Sequence, residues 1–129
     1  MKKSPSWGTW YHGTPLDLDV LRVGSTITRI RALAEAFSHK PPILTISDDG
    51  RIRHTGVEPG YLYRIDEQVG RGDVKPIPGS TMPPGYEWHT TRPLRLVLIG
   101  PVELTPEEML TTEEIEELRR MYGAGGELQ

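Results

Sequence analysis

Apolar and polar positions change period along this chain, and each change marks an element. The opening run Trp7-Gly8-Thr9-Trp10-Tyr11 ends in His12-Gly13-Thr14-Pro15, which predicts a strand over 7–14 closed by glycine and proline. Leu16, Leu18, Val20, Leu21 and Val23 follow without a period, which predicts an irregular loop ending at Gly24. Ile27, Ile30, Leu33, Ala34 and Phe37 then recur at helical spacing, with Arg29, Arg31, Glu35 and His39 on the other face. That pattern predicts a helix from Thr28 to His39, ended by Pro41-Pro42.

Short apolar runs bounded by turn residues come next. Ile43-Leu44-Thr45-Ile46-Ser47 and Arg51-Ile52-Arg53-His54 flank Asp48-Asp49-Gly50, and Asp-Gly between β-formers predicts a hairpin. Gly60 opens an alternating strand over Tyr61–Ile65, with Leu62 and Arg64 on one face and larger residues on the other. Residues 66–85 are rich in glycine and proline and predict a long loop, a length that in compact domains commonly carries function. Glu87-Trp88-His89-Thr90 predicts another strand. The apolar run Leu94-Arg95-Leu96-Val97-Leu98-Ile99 reads as the strongest core strand of the chain.

The end of the chain is helical in pattern. Thr105-Pro106-Glu107-Glu108 has the spacing of a capping box with proline at the first helical position. A second start at Thr111 or Thr112 leads into Ile115, Leu118, Met121 and Tyr122, with Gly123 as the C-cap and a frayed end from Gly125. Strands outnumber helices, and regular βαβ alternation is absent. The predicted class is α+β, in one domain spanning residues 1–129.

Composition narrows the chemistry. The chain has no cysteine, which excludes disulfides, thiolate metal ligands and a cysteine nucleophile. Its formal charge of −3 gives no overall nucleic-acid footprint. The acid is concentrated at the end, however, where seven glutamates face only Arg119 and Arg120 from Thr105 onward. The rest is slightly basic. Met1-Lys2-Lys3-Ser4-Pro5 lacks the apolar segment of a secretory signal, and no stretch approaches the length of a membrane span, so the expected location is cytoplasmic, with no membrane partner.

Two segments carry candidate chemistry. Tyr11-His12-Gly13-Thr14 places an imidazole, a glycine and a hydroxyl at a strand end. There the glycine leaves room for a ligand against the backbone and its neighbours supply hydrogen bonds. Tyr86-Glu87-Trp88-His89-Thr90-Thr91 sets a carboxylate at the start of another strand. A plainer reading makes His12 a packed structural residue, Glu87 an exposed strand residue and Asp73 a turn former in a Gly-Pro loop. His12, His54, His89 and Glu87 match no metal-site spacing, so no metal is expected.

Taken together, these segments resemble the ADP-ribosyltransferase superfamily, and most closely its small rifampicin ADP-ribosyltransferase-like group. The resemblance rests on the aromatic-His12-Gly13-Thr14 strand, on Asp73-Val74-Lys75-Pro76-Ile77-Pro78-Gly79, and on Thr91-Arg92-Pro93 leading into Leu94–Ile99. It covers roughly residues 9–104 and is carried by order and spacing more than by any one motif. It implies a split β-sandwich with an early helix and a C-terminal helix. It also implies NAD as co-substrate and an unspecified acceptor: a small molecule, a protein or a nucleic acid.

By resemblance, the catalytic residues are Glu87, His12 and Asp73. Glu87-Trp88 parallels the glutamate before an aromatic in the poly-ADP-ribose polymerase branch, whereas Asp73 parallels the loop aspartate of the antibiotic-modifying group. The cofactor would be bound by His12, Gly13, Thr14, Thr45, Ser47 and Tyr61. The family's tyrosine in the strand after the first helix is missing from Ile43–Ser47, which transfers stacking to Tyr61, Tyr63 or Trp88. Two further readings follow: a non-catalytic binding or inhibitor module on the same fold, and an RNA 2′-phosphotransferase-like enzyme, which needs Arg51, Arg53, Arg64 and Arg92 around the pocket.

Overall fold

The computed structural model describes residues 8–121; Trp7, Tyr122, the Gly123 cap and the residues from Gly125 lie outside them. The described chain is a mixed α+β arrangement of antiparallel sheets and two helices. Strands β1 (Tyr11–Thr14), β2 (Val20–Leu21), β6 (Gly60–Ile65) and β9 (Leu94–Val102) form a four-stranded sheet in the order β1-β6-β9-β2. Strands β3 (Thr26–Ile27), β7 (Val74–Lys75) and β8 (Trp88–Thr90) form a second, ordered β3-β8-β7. Strands β4 (Leu44–Ile46) and β5 (Ile52–His54) make the expected hairpin, whose turn holds Gly50 at φ 86°.

The core lies between the two sheets. Trp10, Leu21, Ile27, Ile65, Val69, Val74 and Leu94 are buried together, with Leu18, Trp88 and Leu96 packed against them. Every strand of both sheets, or the residue beside it, contributes to this cluster. Trp10 and Trp88 meet edge to face with ring centroids 6.4 Å apart. Such pairs add about 0.5–1.5 kcal/mol beyond the burial of their area.

Helix α1 (Arg31–Phe37) is shorter than its apolar period predicts. The Thr28 hydroxyl accepts the Ile30 N–H at 3.0 Å and donates to the Tyr86 carbonyl at 2.6 Å. That local bonding keeps residues 28–30 out of the helix, with Ile30 extended at its N-cap, so helical spacing in the sequence starts before the point where the helix begins. The 16–24 segment and the 66–85 loop also contain short strands, β2 and β7, with a 3₁₀ turn over Arg71–Asp73. Two-residue strands carry too little pattern to be read from sequence.

The larger correction concerns β9. It is the longest strand, yet only Leu94 is buried, while Leu98 is 53% and Ile99 41% exposed. Strand β2 pairs only with Leu94 and Arg95, and the register with β6 shifts at a bulge between Leu62 and Tyr63 that skips Ile99. Beyond Leu96 the apolar run continues past the sheet-to-sheet core, and composition alone does not reveal that.

The C-terminal segment is strapped to β5. Residues Pro106–Glu108 form a 3₁₀ turn with the expected Thr105–Glu108 capping box. The Leu110 N–H donates to the His54 carbonyl, and Arg53 bonds both the Met109 carbonyl and Glu114. Helix α2 (Thr112–Met121) follows, with Glu114 and Thr111 capping each other. The Arg53 guanidinium holds the Glu114 carboxyl down at about 2.

Candidate cleft at the parting of two strands

The site begins where β1 and β3 separate. Tyr11 and Thr28 exchange both backbone hydrogen bonds, at 2.7 and 3.0 Å, in an isolated antiparallel bridge. Backbone groups of alternate residues face the same edge of a strand. Gly13 therefore directs its N–H and C=O toward β3, as Tyr11 does, and a continued ladder would set it opposite Thr26. The ladder does not continue. Instead the His12 Nδ1–H donates to the Thr26 carbonyl at 2.7 Å. The imidazole occupies the acceptor that Gly13 would have used, and the two strands part. Burial lowers the His12 pKa from its usual 6.5, opposed by this bond.

Gly13 is required here for packing. A Cβ on it would stand 1.8 Å from the Ala34 carbonyl oxygen of α1. The room that the sequence reading assigned to a ligand is, on that face, filled by the helix. The backbone edge of Gly13 faces the gap. Thr14 closes the turn after β1 by accepting the Leu16 N–H at 3.1 Å.

Beside the gap lies an open cleft of about 390 Å³, lined by Thr26, Phe37, Lys40, Pro41 and Glu87. Thr26 thus joins the His12 contact to the Glu87 carboxylate, and two segments 75 positions apart meet around one residue. Glu87 is half-buried and accepts a hydrogen bond from the Ser80 hydroxyl at 2.7 Å; that hydroxyl in turn accepts the Met82 N–H at 3.1 Å. Lys40 is exposed and is the only non-glycine residue with positive φ (53°) among those described. This conformation costs an ordinary side chain about 1–3 kcal/mol and is often found at functional sites.

Asp73 stands elsewhere. Its carboxylate accepts the Arg92 Nε–H at 2.8 Å and the Gly70 N–H at 2.8 Å, while Arg92 also bonds Glu67 at 2.9 Å. The Arg92 bonds are the main cause holding the Asp73 and Glu67 carboxyls below their usual range. This network closes the 66–75 segment onto the start of β9.

The remaining sequence candidates are dispersed. The Thr45 and Ser47 hydroxyls bond within the hairpin, to the Arg53 carbonyl and to Asp49. Tyr61 lines a separate small cavity with Asp17, Tyr63 and Leu98. The Tyr63 hydroxyl donates to the Leu16 carbonyl and accepts the Leu18 N–H, and Trp88 belongs to the core. The aromatic side chain at the cleft is Phe37, the only phenylalanine, which its helical spacing disguised as a core residue. The four arginines do not converge either. Arg51 and Arg53 clamp the C-terminal segment, Arg64 pairs with Asp66, and Arg92 serves the network above.

His12, His54 and His89 lie on different elements, and His54 is buried against Glu108 at 2.9 Å and stacked on His39. Among the described residues no group of His, Asp or Glu is arranged to hold a metal ion. Nor is any helix among them long and apolar enough to cross a membrane.

No family model, curated protein or solved structure matches this chain. The case for function therefore rests on the residues themselves. Phe37 was missed from sequence because it fits the helical period, and Thr26 and Lys40 because they fall between the predicted elements, Thr26 in a strand of only two residues. The turn that carries Lys40 to the cleft had one visible signal, the Pro41-Pro42 pair that follows it.

Proposed function

We propose that this protein is a mono-ADP-ribosyltransferase that cleaves the nicotinamide–ribose bond of NAD and passes ADP-ribose to an acceptor. One observation carries the reading: the His12–Thr26 bond parts β1 from β3 beside the cleft that holds Glu87. A parted strand edge offers N–H and C=O groups in the spacing a carboxamide requires, and Gly13 supplies them. Phe37 provides an aromatic face for the nicotinamide ring. The two antiparallel sheets around a shared core suit the split β-sandwich that the sequence resemblance implies, and a cytoplasmic location accompanies the reading.

Cleaving that bond develops positive charge on the ribose. A carboxylate at its hydroxyls stabilises the charge, and removal of such a group typically costs about 10²- to 10³-fold in rate. Glu87 is the better candidate because it opens onto the cleft and its other contact is a neutral hydroxyl. Asp73 already shares its charge with Arg92. NAD labelled in its nicotinamide, incubated with the protein, tests the reading. Release of nicotinamide that Glu87→Gln abolishes supports it. A protein that neither binds nor consumes NAD at millimolar concentration sinks it.

A second reading is a binding module that holds a nicotinamide-type ligand without turnover. The Thr45 and Ser47 hydroxyls, turned inward to their own hairpin, favour it. Ligand binding that persists unchanged in Glu87→Gln, with no nicotinamide released by either form, would select this alternative.

A further inference from the structure

The outward face of the second sheet continues from the cleft as a row of three side chains. His89 in β8 stands directly opposite Thr26 in β3 on one side and Lys75 in β7 on the other. Residues directly opposite in an antiparallel ladder share a face, with Cβ atoms about 5 Å apart. Their neighbours Ile27, Trp88 and Val74 pack into the core, so Thr26, His89 and Lys75 face away from it. Glu87, two positions before His89 on the same chain, lines the cleft with Thr26. His89 is half-buried, Lys75 is exposed, and neither side chain has a hydrogen-bond or ion-pair partner among the described residues.

We infer that this row is the acceptor side of the site, with His89 taking the proton of an acceptor hydroxyl and Lys75 holding an adjacent anionic group, such as a phosphate. The inference rests on the transferase reading above. In the step, the acceptor oxygen bonds the ribose anomeric carbon as the carbon–nitrogen bond to nicotinamide breaks. The electron pair of that bond leaves on the ring nitrogen, which becomes neutral. The hydroxyl proton passes to the unprotonated ring nitrogen of His89 and from there to solvent. Glu87 and His89 thereby divide the work: one stabilises charge on the ribose, the other activates the incoming hydroxyl.

The groups facing His89 are few. Lys75 approaches from β7, and Glu87 immediately precedes the strand that carries His89. From β3 come Thr26 and Ile27, neither ionisable; His12 bonds the Thr26 carbonyl, and Lys40 lines the cleft with Thr26. A fixed cation beside an imidazole on an open ledge suits a phosphate-bearing alcohol better than a plain one.

Three nucleophiles separate these roles: glycerol, glycerol 3-phosphate and azide, the last needing no deprotonation. With wild type, glycerol 3-phosphate should accept ADP-ribose more readily than glycerol. His89→Gln should slow both alcohol reactions about 10²- to 10³-fold and leave the azide reaction within about 3-fold. Lys75→Met should erase the preference for the phosphate, about 3- to 5-fold, without changing the reaction of glycerol. Both side chains face away from the core, so melting temperatures should stay within about 3 °C of wild type, and His89→Asn serves if the Gln variant does not fold. Loss of alcohol and azide reactions alike in the His89 variants, or of neither, overturns the ledge and leaves the transferase reading standing. A wild-type protein that releases no nicotinamide with any of the three overturns both.

Discussion

His12 donates its Nδ1–H to the Thr26 carbonyl at 2.7 Å, at the point where the β1–β3 ladder would otherwise run on to Gly13. This side chain stands where a backbone pairing stops. It bonds Thr26, which lines the cleft together with Glu87.

His12→Asn should keep the strands parted, because the asparagine amide presents an N–H near the position of Nδ1. His12→Ala should cost about 1 kcal/mol of stability through the lost hydrogen bond and weaken NAD binding more than His12→Asn does. Urea denaturation and calorimetric titration with NAD would check the pair. Equal binding by the two variants would mean that the parting does not depend on this bond.

Stability should fall with pH from two starting points, one set by His12 and one by the carboxylates of Asp73 and Glu67. His12 has its pKa lowered by burial, so its contribution is complete above its unfolded value of 6.5 and is lost as pH falls toward the folded one. Asp73 and Glu67 are lowered by Arg92, so theirs holds above 3.8 and 4.5 respectively and disappears on further acidification. Melting temperature followed from neutral pH downward should fall in both ranges. His12→Asn should flatten only the upper one.

Gly13→Ala should fail to fold or lose about 3 kcal/mol or more, because the added methyl meets backbone of α1 rather than a movable side chain. Gly72→Ala is the control, since a Cβ there meets nothing within 4 Å. Similar melting temperatures for both variants would contradict the close approach of α1 to β1.

Substitutions at the two candidate carboxylates should separate chemistry from stability. Glu87→Gln should lower NAD cleavage by about 10²- to 10³-fold with little change in melting temperature. Ser80→Ala, which removes the hydrogen bond to Glu87 and the acceptor of the Met82 N–H but leaves the carboxylate in place, should cost less than about tenfold. Asp73→Asn should do the reverse, lowering stability by about 1 kcal/mol or less, because Arg92 is partly exposed, and sparing kcat. A large kcat loss in Asp73→Asn would return the catalytic role to the loop aspartate.

Much of the local structure was legible in the chain. Asp49-Gly50 between β-formers specifies a hairpin turn, and Thr105 with Glu108 specifies a capping box, because each involves residues only a few positions apart. The α+β class followed from the same local signals. Less legible was where each element ends. Ile27 and Ile30 fit a helical period, but the Thr28 hydroxyl bonds Tyr86, 58 positions away, and keeps that segment out of the helix.

The site divides along the same line. The sequence by itself determined the chemical groups: an imidazole and a glycine at one strand end, a carboxylate at the start of another, and no thiol. Tertiary structure alone decided which groups meet. The pairing of β3 with β8 sets Thr26 beside His89, and the parting of β3 from β1 frees the edge of Gly13. The end of α1 delivers Phe37 and Lys40 to the same cleft. These contacts form between distant segments held by one shared core, and the apolar pattern that builds that core is silent on which polar residues it leaves side by side.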